Sequence, residues 1–271
     1  MGRWLNPLDH LMCLPRPLRV ALSAWTEHVA FGFPLVDFLR PRTIVELGTH
    51  HGVSYFSFCQ AVKVLRLGTR CYAVDSWVGD AHSGLYGPKV LADLRAYHDP
   101  LYGEYSRLVQ SSFDEALKSF PDGSIDLPHI DGLHTYEAVR HDFMTWPAQV
   151  AQHAVVVVHD TNVHGRRYGV WGLCGHHPLS LELAHSHGVG VLHLSPGIRS
   201  FGLEWRRRDS PEHHPTVAVF ANHGVRRLDL SRAQKRDPEP RALQDLVGER
   251  GTHRNALTEL HRTLASLQGP P

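Results

Sequence analysis

Two groups of side chains in this 271-residue chain have the types and spacing that chemistry needs. The first is Asp131 and His134 in the run HIDGLHTYE, three positions apart where an apolar stretch gives way to a helical pattern. At that spacing a carboxylate and an imidazole project into one crevice, as a general base does beside the group that orients its substrate. The second is His159 and Asp160, which end the apolar run VVVVHD. Asp131, His159 and Asp160 together form an oxygen-rich set that suits magnesium, manganese or calcium better than zinc. A cation there would acidify a coordinated hydroxyl. His134 is then the base, because an unperturbed imidazole titrates near pH ~6.5 and is mostly neutral above it. A metal-free version is also open, with Asp131 orienting His134 and Asp160 capping a helix.

A different task falls to Glu46-Leu47-Gly48-Thr49-His50-His51-Gly52, where two glycines let a ligand meet backbone amides and a helix N-terminus without obstruction by Cβ. The spacing is GxxxG, not the GxGxxG of dinucleotide binders, and Glu46 stands two residues before the first glycine. A pyrophosphate is repelled by that carboxylate. A cofactor carrying an ammonium and a sulfonium tolerates it, so S-adenosylmethionine is favoured over a nicotinamide dinucleotide. Asp75, closing the next apolar run, is placed to accept both ribose hydroxyls.

These residues need a scaffold that gathers them, and the apolar pattern supplies one. Short runs at Thr43–Leu47, Arg70–Val74, Arg107–Val109, Ile125–Ile130 and Val155–Val158 predict strands, with helical patterns at Tyr55–Leu67 and Tyr136–Val150 between them. Alternation of this kind predicts an α/β fold, a Rossmann-like doubly wound sheet with its ligand crevice at the carboxyl ends of the strands. Those ends carry Glu46, Asp75, Asp131 and Asp160. Leu179–Leu194 predicts two more strands joined through His187-Gly188, an antiparallel finish to a mostly parallel seven-stranded sheet. The expected organisation is a helical lead-in over 1–40, the α/β domain over 41–195 and an extension over 196–271, ending in an amphipathic helix suited to packing or a homo-oligomer. Pro128 inside the fourth strand removes a ladder hydrogen bond, which predicts a bulge or a displaced strand start.

Composition narrows the partners. Lys plus Arg number 28 against 27 for Asp plus Glu, so no excess of positive charge recruits nucleic acid. Four cysteines without a CxxC pair fit a reduced, cytoplasmic chain, and the proline-broken first twenty residues predict neither export nor membrane insertion. The 22 histidines are mostly expected on the surface.

The runs VELGTHHGVSYFSFCQAV, YAVDSWVGDAHSGLYG, SSFDEAL, IDLPHIDGLHTYEAVRHDF and VVVVHDTNVHGRRYGVW resemble the class I S-adenosylmethionine-dependent methyltransferases often associated with glycosyltransferases, over about residues 25 to 195. The resemblance implies that Glu46, Gly48, Thr49, Gly52 and Ser54 contact the methionine part of the cofactor. It places Asp75 on the ribose, Ser76 and Trp77 in its neighbourhood, and Ser111 and Ser112 at the adenine edge. The Asp131-to-His134 spacing is also similar to metal-dependent O-methyltransferases of the catechol and macrolide-sugar types, in which a metal-ligand aspartate precedes the base by three. The second ligand cluster departs from theirs, being His159-Asp160 with Asn162 displaced by one, which leaves the third ligand open. The implied activity is O-methylation of a small acceptor, a sugar or glycoside, assisted by a divalent cation, with magnesium first. Trp77, Tyr86, Tyr168 and Trp171 are aromatics suited to stacking on it. Aminosugar N-methylation, a catechol acceptor and a nonenzymatic cofactor- or glycan-binding partner of a glycosyltransferase are the alternatives.

Overall fold

In the computed structural model of the chain, described for residues 17–19, 21, 23–80, 83–162, 181–183 and 186–193, strands and helices alternate as the apolar pattern predicts. A short 3₁₀ turn (Ala24–His28) leads into α1 (Val29–Leu39), followed by β1 (Thr43–Leu47), α2 (Val53–Leu65) and β2 (Arg70–Asp75). A two-stranded ribbon, β3 (Gly79–Asp80) and β4 (Gly84–Leu85), precedes α3 (Lys89–Tyr102), β5 (Ser106–Gln110) and α4 (Phe113–Leu117). Then come β6 (Leu127–Ile130), α5 (Tyr136–Thr145), β7 (Val155–His159), β8 (Leu181–Leu183) and β9 (Val189–His193).

The sheet has seven strands in the order β5-β2-β1-β6-β7-β9-β8. β5 through β7 are mutually parallel, whereas β9 runs antiparallel to β7 and β8 to β9. The Rossmann-like, mostly parallel architecture read from the sequence is therefore the observed one. Connections leave β1 toward β2 and β5 on one side and toward β6 and β7 on the other, which opens a crevice outside the carboxyl ends of β1 and β6.

Two of the boundaries that differ from the sequence reading do so for local reasons. Pro128 faces Val45 of β1, but the ladder to β7 begins only at His129, and Ile125 makes just an isolated bridge to Val150. The proline is absorbed by this late start. α5 stops at Thr145: Trp146 is still in helical backbone and donates to the Asp142 carbonyl, but Pro147 has no N–H with which to continue the ladder. The expected amphipathic helix over 241–267, and Trp171 and Tyr168, lie outside the described residues.

α1 is buried from Val29 to Val36, as an apolar helix without a polar face must be, and it packs on α2. The 3₁₀ turn ahead of it reaches further. Trp25 Nε1–H donates to His129 Nε2 at 3.0 Å, which leaves His129 Nδ1 to donate to Glu46 Oε2 at 2.8 Å. All three side chains are buried. Burial pushes the Glu46 carboxyl up and His129 pulls it back. Trp25→Phe keeps an aromatic ring but orphans His129 Nε2, so it should cost about 1–3 kcal/mol, read as a lower Tm.

Asp142 on α5 gives a stability prediction with a definite sign. Burial pushes its carboxyl up to about 7, with His141 opposing and Asp114 adding to the rise. The folded state thus binds this proton more tightly than the unfolded chain, and that contribution, full below the ordinary aspartate range, is lost as pH rises through about 7. Asp142→Asn should raise Tm in a scan at pH ~8 and leave it nearly unchanged at pH ~4.

Candidate active site

The turn after β1 is shaped by backbone that only small residues tolerate. Gly48 has φ +89° and Gly52 φ +77°, and a Cβ on Gly48 would stand 2.2 Å from the backbone oxygen of Asp131. The turn and the end of β6 therefore touch. Asp75 organises the same turn, its Oδ2 accepting from Thr49 N and His50 N at 2.9 Å each and its Oδ1 from Trp77 N at 2.7 Å. Whatever Asp75 does toward a ribose, it does as a carboxylate already fixed by three amides.

Above this turn lies a cavity of about 1160 Å³. Of the residues expected at the cofactor, Gly48, Thr49, Gly52, Ser54, Asp75, Ser76, Ser111 and Ser112 line it, and Asp131, His134, His159 and Asp160 line the same space. Two do not. Glu46 is turned into the core against His129, and Trp77 is buried with its Nε1–H donated to the His50 carbonyl at 3.3 Å. The sequence reading missed Ser23, Ala24 and Glu27 from the 3₁₀ region, Asp80 and Ser83 from the β3–β4 ribbon, and Ser186 and His187 from the β8–β9 turn. The ribbon alone left a signal, since it lies within the quoted run YAVDSWVGDAHSGLYG. S-adenosylmethionine fits this cradle: Thr49 Oγ1 is buried there without a hydrogen-bond partner, and the cavity exceeds what a single small ligand needs.

At the other end the strand-end residues converge on Asp160, whose φ of +59° is a strained conformation for a residue with a side chain. Its Oδ1 accepts from His187 Nδ1 at 2.9 Å. Its Oδ2 lies 2.9 Å from Nδ1 of both His134 and His159, aligned on the hydrogen-bond axis of neither. His159 Nδ1 donates to Asp131 Oδ1 at 2.8 Å. Burial opposes charge on His159, but the Asp131 and Asp160 carboxylates outweigh it and push the imidazole up to about 10. Burial likewise works against the Asp160 carboxylate, yet His159 and His134 hold it far below the usual range. For His134, burial is outweighed by Asp160 and Asp131, and the ring is raised above its ordinary value.

The ligand atoms of Asp131, His134 and Asp160 lie within 4.8 Å of one another, and their types suit a divalent cation. His159, expected as a ligand, stands between the two carboxylates, its Nδ1 donating to Asp131 Oδ1 at 2.8 Å and lying 2.9 Å from Asp160 Oδ2, so a cation bridging those two oxygens would have to displace it.

Residues 45–161 match the family model described as a methyltransferase domain. An uncharacterized protein of Sinorhizobium fredii is 47% identical over 263 residues, covering 89% of this chain, and the chain spans only 28% of that relative. Similar solved structures include the calicheamicin methyltransferase CalS11, at 15% identity, TM-score 0.49 and coverage of 61% of this chain and 78% of that one. The O-methyltransferase of Bacillus cereus in complex with SAH is 14% identical, with TM-score 0.47 and coverage of 69% and 90%. At these identities and scores the solved structures carry no acceptor or mechanism over to this chain. Among the described residues no helix is long and apolar enough to cross a membrane.

Proposed function

We propose that the chain is a class I S-adenosylmethionine-dependent methyltransferase, as the methyltransferase-domain match over residues 45–161 supports, and that it O-methylates a hydroxyl of a small acceptor, a sugar or glycoside, with His134 as general base. One observation supports this best: His134 lines the cavity with its Nδ1 2.9 Å from the buried carboxylate of Asp160. With Nδ1 facing that carboxylate, Nε2 is the nitrogen assigned to take the acceptor's proton.

S-adenosylmethionine supplies, when bound, an electrophilic methyl on a sulfonium. The Gly48–Gly52 turn and Asp75 hold it at the ends of β1 and β2. Asp131, anchored by His159 through Oδ1, accepts a hydrogen bond from a neighbouring hydroxyl of the acceptor and so aims the reacting oxygen. His134 Nε2 removes the proton as that oxygen attacks in line, and Asp160 stabilises the imidazolium that results. The departing thioether is neutral and needs no acid. Tyr86 and His50, with ring centroids 5.0 Å apart and planes tilted by 35°, offer aromatic faces against which a pyranose can pack.

The second reading is transfer to the amine of an aminosugar. It is supported by Glu27 and Asp80, carboxylates that line the cavity with Asp131 and suit a protonated amine. Calorimetry with S-adenosylmethionine, followed by methyl-transfer assays on glycosides, catechols and aminosugars, tests both. Turnover confined to amines would replace the hydroxyl reading, and cofactor binding with no turnover across the panel would favour a binding-only protein.

A further inference from the structure

Two carboxylates brought together at neighbouring strand ends need their charge answered, either by a cation or by the protein's own donors. Asp131 follows β6 and Asp160 follows β7, with side chains only 17% and 3% exposed. One nitrogen stands against both. His159 Nδ1 donates to Asp131 Oδ1 at 2.8 Å and stands 2.9 Å from Asp160 Oδ2. The ring has little freedom to leave. It is 5% exposed, Trp25 and His28 pack against it at centroid distances of 6.1 and 5.6 Å, and His187 stacks on it at 6.2 Å with an interplanar angle of 11°. His187 in turn occupies Asp160 Oδ1.

We propose that His159 holds, through its Nδ1–H, the position between Asp131 and Asp160 that a divalent cation takes in a carboxylate-only centre, and is the positioning residue of a metal-free site. A hard cation seeks oxygen ligands at about 2.0–2.6 Å and gains nothing from an N–H pointed at it. While His159 is in place, the two carboxylates are tied to the protein and Asp131 is presented to the acceptor in one orientation. Replacing the ring with a hard oxygen ligand removes the block and leaves a pocket of carboxylates that has lost its donor. The site then takes up the cation that it excludes in the native chain.

The inference shares its cavity with the proposed function, but its test reads cation binding, so either can fail alone. Manganese binding to the full chain is followed by the loss of the free-ion electron paramagnetic resonance signal. The native chain should bind no more manganese than an Asp131→Asn, Asp160→Asn double variant. His159→Asp should bind it at least about 10-fold more tightly than the native chain, the usual scale of changes around a metal's ligands, and adding Asp131→Asn should abolish that gain. His159→Asn, smaller and uncharged but with an amide oxygen, should shift affinity in the same direction and serves if the aspartate variant does not fold. A merely structural histidine would lower stability on replacement without creating a cation site. Manganese binding by the native chain that weakens about 10-fold or more on Asp131→Asn overturns the proposal. So do folded His159 variants that bind no better than the native chain.

Discussion

His134→Ala should lower kcat by about 10² to 10⁴ on the true acceptor while leaving affinity for S-adenosylhomocysteine close to native, because a positioned base contributes on that scale and acts only in the transition state. The geometry behind this is the pairing of His134 with Asp160, which fixes the ring and steadies the charge it gains. His134→Gln should not restore the rate, since an amide orients a hydroxyl but does not take its proton. The pH profile adds an independent check. A base works deprotonated, and Asp160 and Asp131 raise this imidazole against the effect of burial, so the rising limb of kcat should lie above the ordinary histidine range. The alanine variant should lose that limb. If it keeps most of its kcat, the base is elsewhere, and His187 is the next residue to replace: it shares the Asp160 carboxylate, and its side chain is 55% exposed, whereas His159 is buried with its Nδ1 committed.

Gly48→Ala should weaken S-adenosylhomocysteine by about 10²-fold or more, measured by calorimetry, because a side chain at this backbone angle is strained and its Cβ has nowhere to go. The atom it meets is the Asp131 carbonyl at 2.2 Å, part of a sheet strand end and not a flexible tip. Relieving the clash shifts the turn off the end of β6 and disturbs the Thr49 and His50 amides that the Asp75 carboxylate holds. Native affinity in a folded Gly48→Ala variant would remove the cofactor from this turn. Gly52→Val is a less clean probe than its place in the motif implies. A Cβ there stands 2.6 Å from the Phe56 ring and 3.1 Å from Leu94, so the substitution also disturbs the packing of α2.

Local pattern carried the sheet. A strand is set largely by its own apolar and β-branched run, and a turn by its own glycines, so Thr43–Leu47, Arg70–Asp75 and Val155–His159 were legible where they stand. The ends of those runs were legible with them. Asp75, Asp131 and Asp160 reach one cavity because a parallel sheet brings the carboxyl ends of its strands to one edge. The direction and partner of each side chain were not legible. Glu46 sits in a suggestive place before Gly48, yet its partner His129 is 83 residues away, and the Trp25 that fixes His129 is 104 residues from it. His187 comes to Asp160 from the far side of an antiparallel turn, 27 residues on. His159 looked like a ligand from its neighbours in sequence, and became a donor between two carboxylates once β6 and β7 lay side by side. Spacing along the chain reports which residues share an element, because strands and helices repeat over a few residues. It carries no trace of contacts closed across tens of residues, which exist only when the sheet order is in place, and here those contacts decide which atoms of the site are left to react.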